Sequence, residues 1–408
     1  MLGLGSALTT GSAHEQLYSL LLDGTGDLLN TPSSIEGTNF PVTGTVSLWV
    51  TGDFTTQGTS NSVFDFYATS RNNLFIRGTD AGGTPKLQIR AQDDGGGSAA
   101  YVAGNQITVL DNQWNHIVVT WDTGAEEFKI YLNGNTTPVS STTISDADWT
   151  PDGQLCTIGV GWLGSIDDVA IWNAVLDADA VAAVYNSGKP FDLNYDRGNY
   201  DNASDLQAYW RMFNGTNDDK VNGVVMDQNA ATIGPNLITE SSFETTDDWV
   251  AVTASGSTSA VSTDIAHTNA SSWKVTVDGT DTDLGVQQVI TVEVDTVYRA
   301  DVWCYAHADN NADIAMNIKR KAGNAIVFLG ETTSYFSKSI PRGAWTLLTG
   351  YFITAASNTS LTLKFGQGGA SGAADDIFYV DDVTLVKIGG NPAITAADAT
   401  FSTDTPDD

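Results

Sequence analysis

Basic side chains are scarce in this chain. Lys and Arg number 18 against 49 Asp and Glu, a formal net charge of -31 over 408 residues. A basic surface for nucleic acid is therefore not expected. Cysteine is scarcer still. Cys156 and Cys304 are the only two, each inside an apolar, strand-like stretch of a different predicted domain, so two buried thiols are expected and no disulfide. Histidine occurs four times, scattered along the chain. No apolar run approaches a membrane span, so no membrane partner is expected. The opening MLGLGSALTTGSAHEQ has neither a basic start nor a long apolar core and does not read as a secretory leader. There is no G-x-S-x-G elbow, H-E-x-x-H helix or P-loop. Glu126 and Glu127 are adjacent, so on an extended chain they point in opposite directions. No enzyme is expected.

What is present is the composition of β-sandwiches. Hydrophobic residues make up 41%, with 11 Trp and 40 Gly, and the length suits two to three domains with ample core. The acidity is mostly Asp, a residue of turns and of calcium sites; solubility accounts for most of it, with one or two calcium sites among the rest.

The segment GSIDDVAIWNAVLDADAVAAVYNSG, residues 164–188, is the main landmark. Ile166, Val169, Ile171 and Trp172 put apolar side chains on both parities, which predicts a strand buried on two faces or bulged at Asp167-Asp168. The period then becomes helical at Leu176, Ala180, Val181, Val184 and Tyr185, with Asp177 as N-cap and Gly188 as the stop. This strand and helix resemble the closing motif of laminin G-like (concanavalin A-like) domains. YSLLLDGTGDLL near the start, GTVSLWVT from Gly44, WNHIVVTW from Trp114 and IYLNG from Ile130 resemble other motifs of that family. His116 lies in one of them and is expected to be a packed strand residue. Leu206–Arg211, LQAYWR, is expected to close against the N-terminal strand. Glucanases of this fold carry an E-x-D-x-E strand, which this chain lacks.

The second half carries a different signature. NLITESSFETTDDWV at its start and IFYVDDVTLVKI at its end resemble carbohydrate-binding modules of the families four and nine type. The expected fold is all-β: two tandem jelly-roll β-sandwiches with one short helix late in the first. Residues 1–15 are read as an N-terminal arm and 16–234 as the laminin G-like sandwich. Residues 235–390 are read as the module-like sandwich and 391–408 as an acidic tail, in which only Ile394 and Phe401 are large and apolar.

Alternation in Tyr298–Ala306 places Arg299, Asp301, Trp303 and Tyr305 on one face and Tyr298, Ala300, Val302 and Cys304 on the other. The first set, with Asn317, is the candidate sugar platform, because aromatic faces stack on sugar rings and charged groups meet hydroxyls. The competing reading packs Trp303 and Tyr305 under a loop or at a subunit interface. The resemblance further implies a structural Ca²⁺ held by Glu244 with Asp381 or Asp382, backbone carbonyls completing the oxygen shell, against the alternative that these carboxylates cap a turn or pair with Lys. By analogy of architecture the chain resembles virion proteins of tailed bacteriophages, such as capsid decoration proteins, head fibres and tail fibres. That implies surface glycans as partners, other virion proteins held through the arm, a homo-oligomer, and a virion location. A structural cement without sugar binding and a secreted bacterial glycan-binding protein are the alternatives.

Overall fold

A computed structural model describes residues 16–31, 43–67, 73–79, 82–93, 100–144, 155–229, 231–245, 248–253, 256–280, 283–323, 326–329, 335–368, 373–396 and 399–406. The expected N-terminal arm lies outside them. The chain divides into two units, one formed by residues 1–230 with 393–408 and the other by residues 231–392. Both are jelly-roll sandwiches of antiparallel strands, and the all-β expectation holds.

In the first unit, two eight-stranded sheets face each other. Strand Leu163–Trp172 is central in one of them, paired along one edge with Thr43–Gly52 and along the other with Ser19–Asp23 and Leu206–Trp210. LQAYWR thus adds to the central strand, beside the N-terminal strand rather than against it. Both predictions for the central strand are realised. Its register against Thr43–Gly52 shifts between Asp167 and Ala170, and Asp168 sits at φ 44. The extra residue reverses the side-chain parity, so Ile166 and Val169 enter the same inter-sheet core although an odd number of residues separates them.

Ala170 and Trp172 point away from that core into a second one, with the helix Ala178–Tyr185 packed over it. The helix starts where its cap predicts: Asp177 Oδ1 accepts from Ala180 N at 2.8 Å. It stops two residues earlier than the glycine suggests. Asn186 takes the left-handed conformation at φ 46, a role Asn fills nearly as readily as Gly. Trp172 Nε1 donates to Tyr200 OH at 3.0 Å, and Tyr200 OH donates to Leu193 O at 2.7 Å, so the polar tips inside this second core are paired. Cys156 and Cys304 are buried free thiols.

The acidic tail is not a tail. Strand Ala393–Ala396 pairs with Leu28–Asn30 and Val224–Val225, and Thr400–Ser402 pairs with Ser19–Asp23. The two sheets otherwise leave backbone edges open there, and a short Ala/Thr segment satisfies them without needing large side chains. Its few apolar residues supply the anchors. Ile394 is 7% exposed, and Phe401 sets its ring edge-on to Tyr18 at 5.2 Å.

In the second unit a seven-stranded sheet faces a five-stranded sheet. Val297–Ala306 is central in the first, between Trp345–Thr354 and Ile377–Ile388. The second runs Val250–Val252, Gly285–Thr291, Ser360–Gln367, Ile314–Gly323, Tyr335–Ile340. Tyr298, Ala300, Val302 and Cys304 fill the core between them. Phe243 is buried there, its ring 4.7 Å from Trp249 and 5.6 Å from Trp273.

If residues 393–406 are structural, Ile394→Ala costs the first unit about 2–5 kcal/mol, the usual range for truncating a buried Ile. Denaturant unfolding of the two proteins checks this, and a midpoint unchanged by the substitution would restore the tail.

Candidate functional site

The predicted platform strand alternates as expected. Arg299, Asp301, Trp303 and Tyr305 are all half-buried on the outer face of the seven-stranded sheet. They are engaged with one another and with their neighbours. Arg299 Nε donates to Asp301 Oδ2 at 2.9 Å, and Thr349 Oγ1 donates to Asp301 Oδ1 at 2.7 Å. Tyr305 lies 5.5 Å from Trp345. Trp303 is covered: the His267 ring stacks on it at 4.0 Å with 16° between planes, and packs edge-on to Trp345 at 5.4 Å. The competing reading, an aromatic packed under a loop, therefore describes Trp303.

Asn317 does not join the other four. It lies on Ile314–Gly323, in the opposite sheet of the sandwich. Alternation assigns a side chain to a face of its strand; it does not say which sheet the strand enters.

The three predicted metal ligands hold the segment that carries His267. Asp381 Oδ2 accepts from His267 N at 2.7 Å. His267 Nδ1 donates to Asp382 Oδ2 at 2.6 Å, and Thr268 Oγ1 donates to Asp382 Oδ1 at 2.6 Å. Glu244 Oε1 accepts from Ala270 N at 3.0 Å and Ser271 N at 2.9 Å. Burial pushes the Asp381 carboxyl up to about 6, against the backbone N–H donors that favour its charge. Calcium needs a shell of oxygens. Here the carboxylates face N–H and O–H donors, and among the described residues no three His, Cys, Asp or Glu side chains converge on one point. In this structure the three carboxylates cap a loop, the alternative that stands beside calcium.

Among the described residues of this unit, an open concavity lies on the five-stranded sheet. A groove of about 540 Å³ lies over its outer face, lined by Thr239, Asp248, Gln287, Thr291 and Thr362 with Val250 and Val289. Val289 is 68% exposed on its floor. Polar groups that can meet hydroxyls surround a small apolar patch, the general make-up of a small-molecule site. Gln288 braces one wall, accepting from Thr239 N at 3.2 Å and donating to Thr239 O at 3.0 Å. Thr239, Asp248 and Val250 fall inside NLITESSFETTDDWV, which resembles the family's entry without marking them as a site, and Gln287, Val289 and Thr291 show only their alternation.

In the first unit, Ser47 Oγ lies 2.8 Å from His116 Nε2, the spacing of a nucleophile and its base. His116 is fully buried, and burial pulls its pKa down to about 3. The adjoining space is about 10 Å³, enough for roughly one water. The pair is a packed strand contact, as the motif led us to expect, and no substrate reaches it.

Comparison with known proteins agrees with this architecture. Residues 23–182 match the concanavalin A-like lectin/glucanases superfamily, and residues 235–372 match a carbohydrate binding domain. The chain thus carries a concanavalin A-like domain followed by a carbohydrate binding domain of the families four and nine type. Among solved structures it is similar to the CBM22-1 xylan-binding domain from Paenibacillus barcinonensis Xyn10C, at 22% identity over 39% of this chain and 98% of that one, with a TM-score of 0.30. It is also similar to a native heptameric SAP-like pentraxin from Limulus polyphemus, at 17% identity over 43% of this chain and 84% of that one, with a TM-score of 0.32. No curated protein matches the chain.

Two outcomes follow from these sites. Chelation of divalent ions is expected to leave the melting temperature of the second unit unchanged; a fall reversed by added Ca²⁺ would reinstate the metal. His116 gives the first unit a pH dependence of known sign. The unfolded imidazole takes up a proton below about 6.5, and the folded one resists until about 3, so its contribution to stability is lost as pH falls through that window. The slope is about 1.4 kcal/mol per pH unit from this one proton. Unfolding curves of wild type and His116→Gln between pH 6.5 and 4 should converge as pH falls; parallel curves would mean the imidazole is already charged in the folded state.

Proposed function

We propose that this chain is a non-catalytic glycan-binding protein whose site is the groove over the five-stranded sheet of the second unit. The observation that carries the reading is the groove itself, an open polar concavity in a domain that matches a carbohydrate binding domain. Gln287, Thr291, Thr362, Thr239 and Asp248 would exchange hydrogen bonds with sugar hydroxyls, and Val289 and Val250 would meet the apolar face of a ring. Shallow, partly hydrated contacts of this kind are weak one at a time. The setting we propose is therefore multivalent: a homo-oligomer displayed in many copies, so that avidity multiplies a weak site. A bacteriophage virion, with residues 1–15 gripping other virion proteins, is one such setting, and its support is the analogy of tandem jelly rolls alone. A secreted protein or a structural cement would share the fold.

A second reading keeps the half-buried corner of Tyr305, Trp345 and Trp303 as the platform, because aromatic rings cluster there. One experiment separates the two. In native gels containing soluble polysaccharides, Gln287→Ala is expected to weaken retention about tenfold, the worth of one or two well-placed hydrogen bonds, while Trp303→Ala leaves it unchanged. The reverse pattern moves the site to the aromatic face. Retention of wild type by no polysaccharide removes the glycan reading and favours cement.

A further inference from the structure

Beside the groove, on the same outer face of the five-stranded sheet, lies a cluster of positive charge. Gln287 on the groove floor is the register partner of Lys364, and Lys364 is the register partner of Lys319. With strands about 5 Å apart, the three side chains form one row across the outer face. Thr362, which lines the groove, is two residues from Lys364 on the same face of its strand. Lys321 joins the row's far end beyond a register shift.

All three ammonium groups converge on one carboxylate. Lys364 Nζ lies 2.8 Å from Asp283 Oδ1, Lys319 Nζ lies 3.7 Å from the same oxygen, and Lys321 Nζ donates to Asp283 Oδ2. Burial pushes the Asp283 carboxyl up, but the hydrogen bonds from Lys321 and Lys364 outweigh it and hold the group well below its usual range. Lys364 is fully buried, and desolvation pulls its pKa down to about 8. Asp283 thus serves first to make the buried Lys364 tolerable. Lys319 and Lys321, about one-third exposed at 34% and 30%, share a carboxylate that Lys364 has already claimed. Among the described residues, three cations against one anion leave a surplus of about two positive charges, in a chain whose net charge is -31.

Asn317, two residues before Lys319 on the same strand face, is 2% exposed and lies beneath Gly368, where a Cβ would come within 1.6 Å of its Nδ2.

We propose that the sugar bound in this groove is acidic, a uronate or sulfated residue whose anion sits between Lys319 and Lys321. This rests on the groove being the glycan site and names the class of glycan. The charge of the whole chain makes the claim sharp. A strongly acidic protein repels polyanions in general, so retention of one requires a local site.

The test uses the full chain in native gels at about 0.15 M salt. The gels contain polygalacturonate, neutral galactan, dextran sulfate, neutral dextran or poly-glutamate. The expected result is retention by an acidic polysaccharide at least tenfold stronger than by its neutral counterpart. Lys319→Gln/Lys321→Gln should lose about tenfold or more, and the exposed control Lys338→Gln should lose nothing. Polygalacturonate and dextran sulfate separate a uronate from a sulfate. Equal retention by acidic and neutral polymers overturns the proposal and leaves the glycan reading standing. Retention by none removes both. Equal retention by poly-glutamate overturns the proposal in another way, since the site would then read charge without sugar. If melting curves show the double variant misfolded, Lys319→Gln alone carries the test, because its contact with Asp283 is the longest of the three.

Discussion

Each sandwich turns on a pair of adjacent aspartates in an inner strand: Leu163–Trp172 in the first unit, Ile377–Ile388 in the second. In the first unit Asp168 adopts φ 44 and its N–H donates to Asp167 Oδ1 at 2.8 Å. In the second, Asp382 adopts φ 44 and its N–H donates to Asp381 Oδ1 at 2.8 Å. The first Asp closes the bulge with its own side chain, and the left-handed second residue is one that Asp tolerates better than most. The bulge alone lets Ile166 and Val169 share a core; a regular strand would send one of them outward. It also buries carboxylates that must then be satisfied. Tyr209 OH donates to Asp168 Oδ1 at 2.6 Å, and Gln16 Nε2 donates to Asp167 Oδ2 at 3.1 Å. The bulge therefore recruits its neighbours: a strand in one direction, the start of the described chain in the other.

In the second unit the same demand decides which face is open. Asp381 and Asp382 satisfy their oxygens with His267 and Thr268, and that anchoring lays the imidazole flat on Trp303. The aromatic face of the seven-stranded sheet is closed as a consequence of where the bulge needs donors. Among the described residues no aspartate pair bulges the five-stranded sheet, whose one register shift falls between Arg320 and Ala322. Its outward residues Gln287, Val289 and Thr291 meet solvent, and the groove forms there. The aspartates that resemble calcium ligands thus hold the segment that covers Trp303 on the sheet opposite the groove.

Much of this was legible in the residues. Alternation in Val297–Ala306 separates core from surface side chains correctly, because that strand is regular from end to end on its core face. Asp177 marks its helix because a cap is a local interaction three residues long. What could not be read is long-range. The assignment of Asn317 to a sheet depends on pairings with residues 337 and 366. The Lys-x-Lys of Lys319 and Lys321 is visible, but its partner Asp283 stands 38 residues from Lys321 and 81 from Lys364. Residues 391–408 look like a tail because Ala, Thr and Asp carry no strong strand signal, and edge strands recruited by backbone hydrogen bonds need none.

That return of the chain has a kinetic meaning. Ser19 Oγ donates to Asp404 O at 2.7 Å, across 385 residues of sequence. Strands at residues 393–396 and 400–402 complete both sheets of the first unit, so the whole second unit is spelled out between the first unit's early and last strands. Pairings so distant form slowly, because loop closure comes before any reward from contact. Folding the intervening unit first shortens that loop from about 160 flexible residues to a compact body whose own ends are fixed. The inserted domain then lowers the entropic barrier to closing its host. Closure of the first unit is favoured once the second is folded, and the edge along Ser19–Asp23 and Leu28–Asn30 is open to mispairing until the last strands pair.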